Sequence, residues 1–374
     1  MRPFRIEFTK KDLEDLHRRL DATRWPMLPF DTGWSSGAND QVLRDLVRYW
    51  RREYDWFKIQ EQLNRLPHLR GSISGEELHC VVYKGSGGDR RLPLLLLHGW
   101  PGSFVEFLDA AEILVRGVER QPGFDLIIPS LPGFGLSEAP RTAGIHAGRI
   151  AGRMHELMKE LGYGHYGVLG GDWGAIIGTA LALQQPESVV GLHVTFVNPP
   201  PPPPEGEPPS EEELAYLARR KKFEAEETGY GWIQRTKPQT LAYAQTDSPV
   251  GLLAWILEKF WAWSDHGNDL WQTFSRDRVL TNVMLYWLPG CVLSAARLYY
   301  ETSHHMPKEL RRARVQVPTG YAKYPAEPWS PPSLVVARQY NLVYYSEPSK
   351  GGHFAAMEQP EVWARDVANF FSQS

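Results

Sequence analysis

Cysteine is almost missing from this chain, with Cys80 and Cys291 the only two in 374 residues. That excludes a disulfide framework and a cysteine-rich metal site, and it suits a reducing compartment. Long apolar runs are missing as well. Stretches such as Leu94 to Leu97 fall far short of a membrane span, and Met1 to Glu7 carry no apolar core of a signal peptide. A surplus of one charge is also missing. The formal net charge of −3 leaves no electrostatic footprint for nucleic acid or an acidic membrane. These absences lead to the expectation of a soluble cytoplasmic protein with no nucleic-acid partner and no membrane anchor.

Apolar residues, at 42%, suffice for a substantial core. Residues 1–75 read as mostly helical: Thr9 and Asp12 resemble a capping box ahead of Leu13, Leu16 and Leu20, and a second helix carries Val42, Leu43, Leu46 and Trp50. From residue 78 the pattern changes to strands, at 78–83, 94–97, 124–128, 166–169 and 192–197. Helical stretches lie near 105–117, 147–161 and 174–184. This alternation indicates a mainly parallel sheet covered on both faces.

The proline-rich run at 199–209 reads as a stiff connector, although polyproline can also serve as a recognition ligand. Residues 210–312 read as helical and aromatic, suggesting either a ring-lined pocket or a tryptophan-rich core. Strands resume at 315–318 and 342–345, and 361–371 suits a closing helix. The expected architecture is therefore α/β. A helical extension (1–75) precedes a core in two parts (76–198 and 313–374), interrupted by the connector and a helical cap (210–312).

The stretch Val168-Leu169-Gly170-Gly171-Asp172-Trp173-Gly174-Ala175 reads as strand, sharp turn and helix. Small residues stand two before and two after an acid. This is the pattern of the nucleophile elbow, G-x-S-x-G in the α/β-hydrolase fold, with a carboxylate in place of the hydroxyl. Aspartate is a poor acyl-transfer nucleophile, but it can displace a leaving group at saturated carbon and form an ester of its own side chain. Alone, the motif also fits an aspartate that merely caps the following helix.

A nucleophile needs a base, and the base an orienting acid, in the chain order nucleophile, acid, histidine. His353, in Gly351-Gly352-His353-Phe354, follows the last strand pattern after a flexible loop. Glu327, after the strand at 315–318, is the favoured acid, with Glu347 its rival. The oxyanion hole should combine the amides of Trp173 and of Trp100, in Leu97-His98-Gly99-Trp100-Pro101-Gly102, where Trp100-Pro101 is a candidate cis bond. His98 reads as a structural residue of that loop, and His304-His305 lacks zinc spacing.

These residues and a set of longer strings make the chain resemble an epoxide hydrolase of the microsomal type. The strings are HGWPGSFVEF, PSLPGFGLSEAP, GGDWGA, TKPQT, DSPVGLLAWILEKF, TNVMLYW, VPTG and GGHFAAMEQPE. Together they span nearly the whole chain. The resemblance implies an α/β-hydrolase core with a helical cap and an amino-terminal helical domain. It also implies two cap tyrosines that grip the epoxide oxygen, falling on Tyr230 and Tyr299, with Tyr300 adjacent to the second. Membrane-bound members begin with an anchor, and none is expected here.

The implied chemistry is attack of Asp172 on the epoxide, then hydrolysis of the ester by water activated by His353 and oriented by Glu327. A small-molecule epoxide (bulky aryl or alkyl) and water are the partners, and neither a metal nor an organic cofactor is needed. A haloalkane dehalogenase would use the same ester with indole or amide N–H donors around its halide. A hydrolase-fold receptor would bind without turnover. The sequence is compatible with a homodimer but does not set the oligomeric state, the natural epoxide, or a detoxifying against a biosynthetic role.

Overall fold

The computed structural model describes the chain except residues 87, 89–90, 119–120, 198–202, 204–207 and 373–374. The expected proline-rich connector thus lies largely outside the described residues. Nine strands form one sheet: β1 (Arg2–Pro3), β2 (His68–Ile73), β3 (Glu76–Tyr83), β4 (Pro93–Leu97), β5 (Asp125–Pro129), β6 (Tyr166–Gly170), β7 (Val189–Val194), β8 (Val315–Ala322) and β9 (Tyr340–Ser346). Their order is β1-β2-β3-β5-β4-β6-β7-β8-β9. From β5 to β9 every pairing is parallel, while β1, β2 and β3 add antiparallel strands at one edge.

The central strands β4, β5 and β6 are buried at every position, as befits a parallel sheet covered on both faces. Successive residues of a strand face opposite sides, and β6 shows which helix covers which. A Cβ on Gly167 would meet Phe371 of the helix Pro360–Ser372, whereas Val168 touches Gly178 of the helix Asp172–Gln184. The helix Asp172–Gln184 and the closing helix therefore flank the sheet from opposite faces.

Two sequence expectations are corrected. The amino-terminal region is not helical throughout. Helices Lys10–Asp21, Asp40–Arg52 and Trp56–Leu63 are framed by β1 and β2, and β2 forms a hairpin with β3 through Ile73 and Glu76. The string His68-Leu69-Arg70-Gly71-Ser72-Ile73 has too little apolar alternation to announce a strand, and its neighbour β3 decides the matter. Strand β7 also begins and ends three residues before the expected 192–197, because Thr195 to Val197 already leave the sheet.

The cap is all helix, from Glu211–Glu226 to Lys308–Arg312. One of its helices, Arg276–Trp287, is fixed on two sides. Tyr49 and Tyr54 of the amino-terminal region bond to Asp277 (2.7 Å) and Thr281 (3.1 Å). On the core side, Asn282 Nδ2 donates to the carbonyl of Pro101 and the Tyr286 hydroxyl donates to that of Gly102, both at 2.7 Å. Ser103 Oγ donates to Asn282 Oδ1. Asn282 and Tyr286 lie four residues apart, on one helical face.

Buried imidazoles tie the edge strands to the same region. His68 Nε2 donates to Leu63 O, His79 Nε2 donates to His68 Nδ1, and Ser130 Oγ donates to His79 Nδ1. His98 Nδ1 donates to Gly99 O and its Nε2 accepts from Leu131 N–H. Burial holds His98 down at about 4, so its neutral form belongs to the folded state. The unfolded chain binds the extra proton between that value and the ordinary 6.5, so the contribution is complete above pH 6.5 and is lost as pH falls toward 4. Other buried groups shift the opposite way, so the effect is read as a difference. The stability advantage of wild type over His98→Asn should shrink by about 3 kcal/mol between pH 7 and pH 4 in urea unfolding. A gap that does not change with pH would contradict this.

Candidate active site

The site grows from the turn between β6 and the helix Asp172–Gln184. Asp172 takes φ of +47°, a left-handed conformation that costs a non-glycine residue about 1–3 kcal/mol and turns its carboxylate out of the sheet. Close packing permits the turn. A Cβ on Gly174 would fall 1.8 Å from Leu97 O, and one on Gly99 would fall 2.1 Å from Asp172 Oδ1. Glycine at 99 and 174 lets the helix and the β4 loop close around the carboxylate.

Both carboxylate oxygens have neighbours. Trp100 N–H donates to Asp172 Oδ1 at 2.8 Å, in a loop where the Trp100-Pro101 bond is cis. Oδ2 lies 3.5 Å from His353 Nε2. The other ring nitrogen, Nδ1, donates to Glu327 Oε2 at 2.7 Å, while Glu327 Oε1 accepts from Trp329 N–H. Burial opposes a charged His353, but the Glu327 charge and the contacts with both carboxylates outweigh it and raise its pKa well above the ordinary value. Glu347 stands elsewhere, exposed and bonded to Lys323 and Tyr345.

Above the carboxylate the cap supplies the two tyrosines. The Tyr230 ring stacks on Trp100 (5.0 Å, 11°) and meets Tyr299 edge-on at 6.0 Å, and Tyr299 packs edge-on against Trp173 at 4.7 Å. Both line a cavity of about 680 Å3 that also exposes Asp172, His353 and Trp263. The Tyr299 hydroxyl is buried without a hydrogen-bond partner among the described residues. Burial pushes both phenols up, so each keeps its proton as a donor. Tyr300 instead stacks on His304 (4.1 Å). Trp173 stands in the first turn of its helix, where backbone N–H groups have no partner within the helix.

Sequence reading missed Glu106. It lies in the short helix Phe104–Phe107 after the Trp100 loop, and its Oε2 occupies the space that a side chain at Gly102 would fill. Together with His353, Gly170, Gly171 and Thr195 it lines a cavity of about 10 Å3, the space of one water molecule. Burial pushes its carboxyl up to about 8, with His353 opposing and Asp172 adding to the shift. The only signal was an acid inside an otherwise apolar run after the loop. Among the described residues no group of three or more His, Cys, Asp or Glu is placed to hold a metal ion. No single described helix is long and apolar enough to cross a membrane, although the bent pair Arg276–Trp287 and Val292–His305 together meet that length and composition.

Residues 1–107 match the family model described as epoxide hydrolase N terminus, and 93–337 match that of the alpha/beta hydrolase fold. A putative epoxide hydrolase of Stigmatella aurantiaca is 40% identical over 99% of this chain and 84% of its own. Epoxide hydrolase 1 of Oryctolagus cuniculus is 36% identical over 99% and 88%. The chain belongs to the epoxide hydrolases of the α/β-hydrolase fold. Juvenile hormone epoxide hydrolase from the silkworm Bombyx mori superposes on this hydrolase with a TM-score of 0.90 at 34% identity, covering 100% and 94% of the two chains. The epoxide hydrolase of Aspergillus niger gives 0.89 at 30% identity, covering 99% and 96%.

The tight closure at Gly99 yields a test. Gly99→Ala places a methyl on Asp172 and should slow epoxide turnover by about a hundredfold, the cost of misplacing a reacting group by roughly 1 Å. Diol formation, with circular dichroism as the check on folding, measures it, and a near-wild-type rate in a folded variant would refute the close approach.

Proposed function

We propose that this hydrolase converts an epoxide to a vicinal diol in two steps through an ester of Asp172. The juxtaposition that carries the proposal is the Asp172 carboxylate, with Trp100 N–H on one oxygen and His353 on the other, beneath the hydroxyls of Tyr230 and Tyr299. In the first step both hydroxyls donate to the epoxide oxygen and Asp172 Oδ2 attacks a ring carbon. The C–O bond breaks, and the developing alkoxide draws a proton through a tyrosine.

Forming the ester removes the charge of Asp172, one of the influences that keep His353 protonated. The imidazolium then supplies the proton that the alkoxide has taken and becomes a free base, still oriented by Glu327. It accepts a proton from water attacking the Asp172 carboxyl carbon. The oxyanion develops on Oδ1, held by the amides of Trp100 and Trp173; its collapse breaks the bond between the carboxyl carbon and the ester oxygen, and that oxygen takes the remaining proton of the attacking water to leave as the diol. The small cavity beside His353 suits that water, and Glu106, carrying its own proton near neutral pH, donates a hydrogen bond to hold it. A cytoplasmic site of action is part of this reading, supported by the two buried, unpaired cysteines.

Two variants separate the steps. His353→Gln should form the ester and barely release it, so intact-protein mass spectrometry after mixing with an epoxide should show the adduct. A variant that binds substrate but never gains mass would sink the division of labour. Tyr299→Phe should slow ring opening by about a hundredfold, the usual cost of one donor to a developing oxyanion. Tyr300→Phe should stay within about twofold of wild type, and the reverse pattern in single-turnover rates would overturn the assignment of Tyr299.

A further inference from the structure

The cavity over Asp172 is larger than ring opening alone requires, and its charges away from the reacting groups are unbalanced. Three arginines line it. Arg220 is answered by Glu224 at 2.8 Å. Arg235 and Arg311 have no carboxylate partner among the described residues, and the Nε of each is buried with no acceptor. Arg235 lies against the ring of the exposed Trp232, 3.3 Å from its centre. Arg311 Nη2 donates only to the main-chain carbonyls of Thr302 and Ser303. The two acids on the cavity wall, Asp172 and Glu224, are both engaged.

The position of these charges matters as much as their number. Arg235 follows Tyr230 by five residues in the helix Gly229–Thr236, roughly 7.5 Å along its axis. The carbonyls that hold Arg311 lie one turn past Tyr299 in Val292–His305, roughly 5 Å along that axis. Each tyrosine is thus followed, on its own cap helix, by a guanidinium site that ring opening does not use. Partial burial lowers the pKa of both guanidinium groups. A neutral aryl epoxide supplies no counter-charge there, whereas a carboxylate does.

We propose that the preferred substrate is an epoxide bearing a carboxylate several bonds from the ring, bound by Arg311, with Arg235 adding attraction. This rests on the epoxide-hydrolysing reading above and adds the class of substrate to it. The test uses the full chain with an ω-epoxy carboxylic acid of eleven carbons, its methyl ester, and styrene oxide. The acid should exceed its ester in kcat/KM by about tenfold or more, mainly through KM, as a charge-assisted hydrogen bond provides. The preference should fall as salt is added, which needs no variant.

Arg311→Met should remove most of the preference and Arg235→Met part of it, with styrene oxide within about twofold of wild type in both. An ester hydrolysed as well as the acid, or a preference that survives both substitutions, overturns the proposal and leaves epoxide hydrolysis standing. If none of the three epoxides yields a diol, the hydrolytic reading itself falls.

Discussion

The hydrogen bond from Trp100 N–H to Asp172 Oδ1 is the contact on which the remaining arrangement depends. It joins the ends of two neighbouring parallel strands, β4 and β6, where the Asp172 carboxylate stands in a left-handed turn. By fixing one oxygen it leaves the other free to face His353, so the two oxygens have different surroundings before any substrate arrives. In the proposed mechanism the same amide that restrains the resting carboxylate also serves the oxyanion of the ester, a donor set before the charge develops.

Much of this was legible in the sequence because it obeys local rules. The elbow is recognised from glycine spacing, and strand β4 from its uninterrupted run of leucines. His353 follows from chain order, and Tyr230 and Tyr299 from resemblance in the cap. What escaped depends on contacts between distant segments. Strand β2 owes its conformation to β3, not to its own composition. Glu106 is an unremarkable acid until Gly102 leaves the space for its carboxyl. Asn282 and Tyr286 read as one face of a helix, and nothing local says that this face meets the carbonyls of Pro101 and Gly102.

Those last two residues show how three regions of the chain serve one site. The amino-terminal helices hold the cap helix Arg276–Trp287 through Tyr49 and Tyr54. That helix holds the loop after β4 through Asn282 and Tyr286, and the loop holds Asp172. The buried histidines of β2 and β3 reach the neighbouring loop through Ser130, and that loop meets the one after β4 where Leu131 N–H donates to His98.

The bond from Asn282 to the Pro101 carbonyl therefore limits how such a protein can be recombined. The cap and the hydrolase core are not interchangeable modules, because a main-chain carbonyl of the core loop finds its donor on the cap. A chimera that exchanged whole caps between members would inherit a working core only if the incoming helix carried an amide and a hydroxyl four residues apart in the same register. The helical face of Asn282 and Tyr286 is thus constrained by the loop it holds, apart from any demand that the substrate cavity makes on the cap.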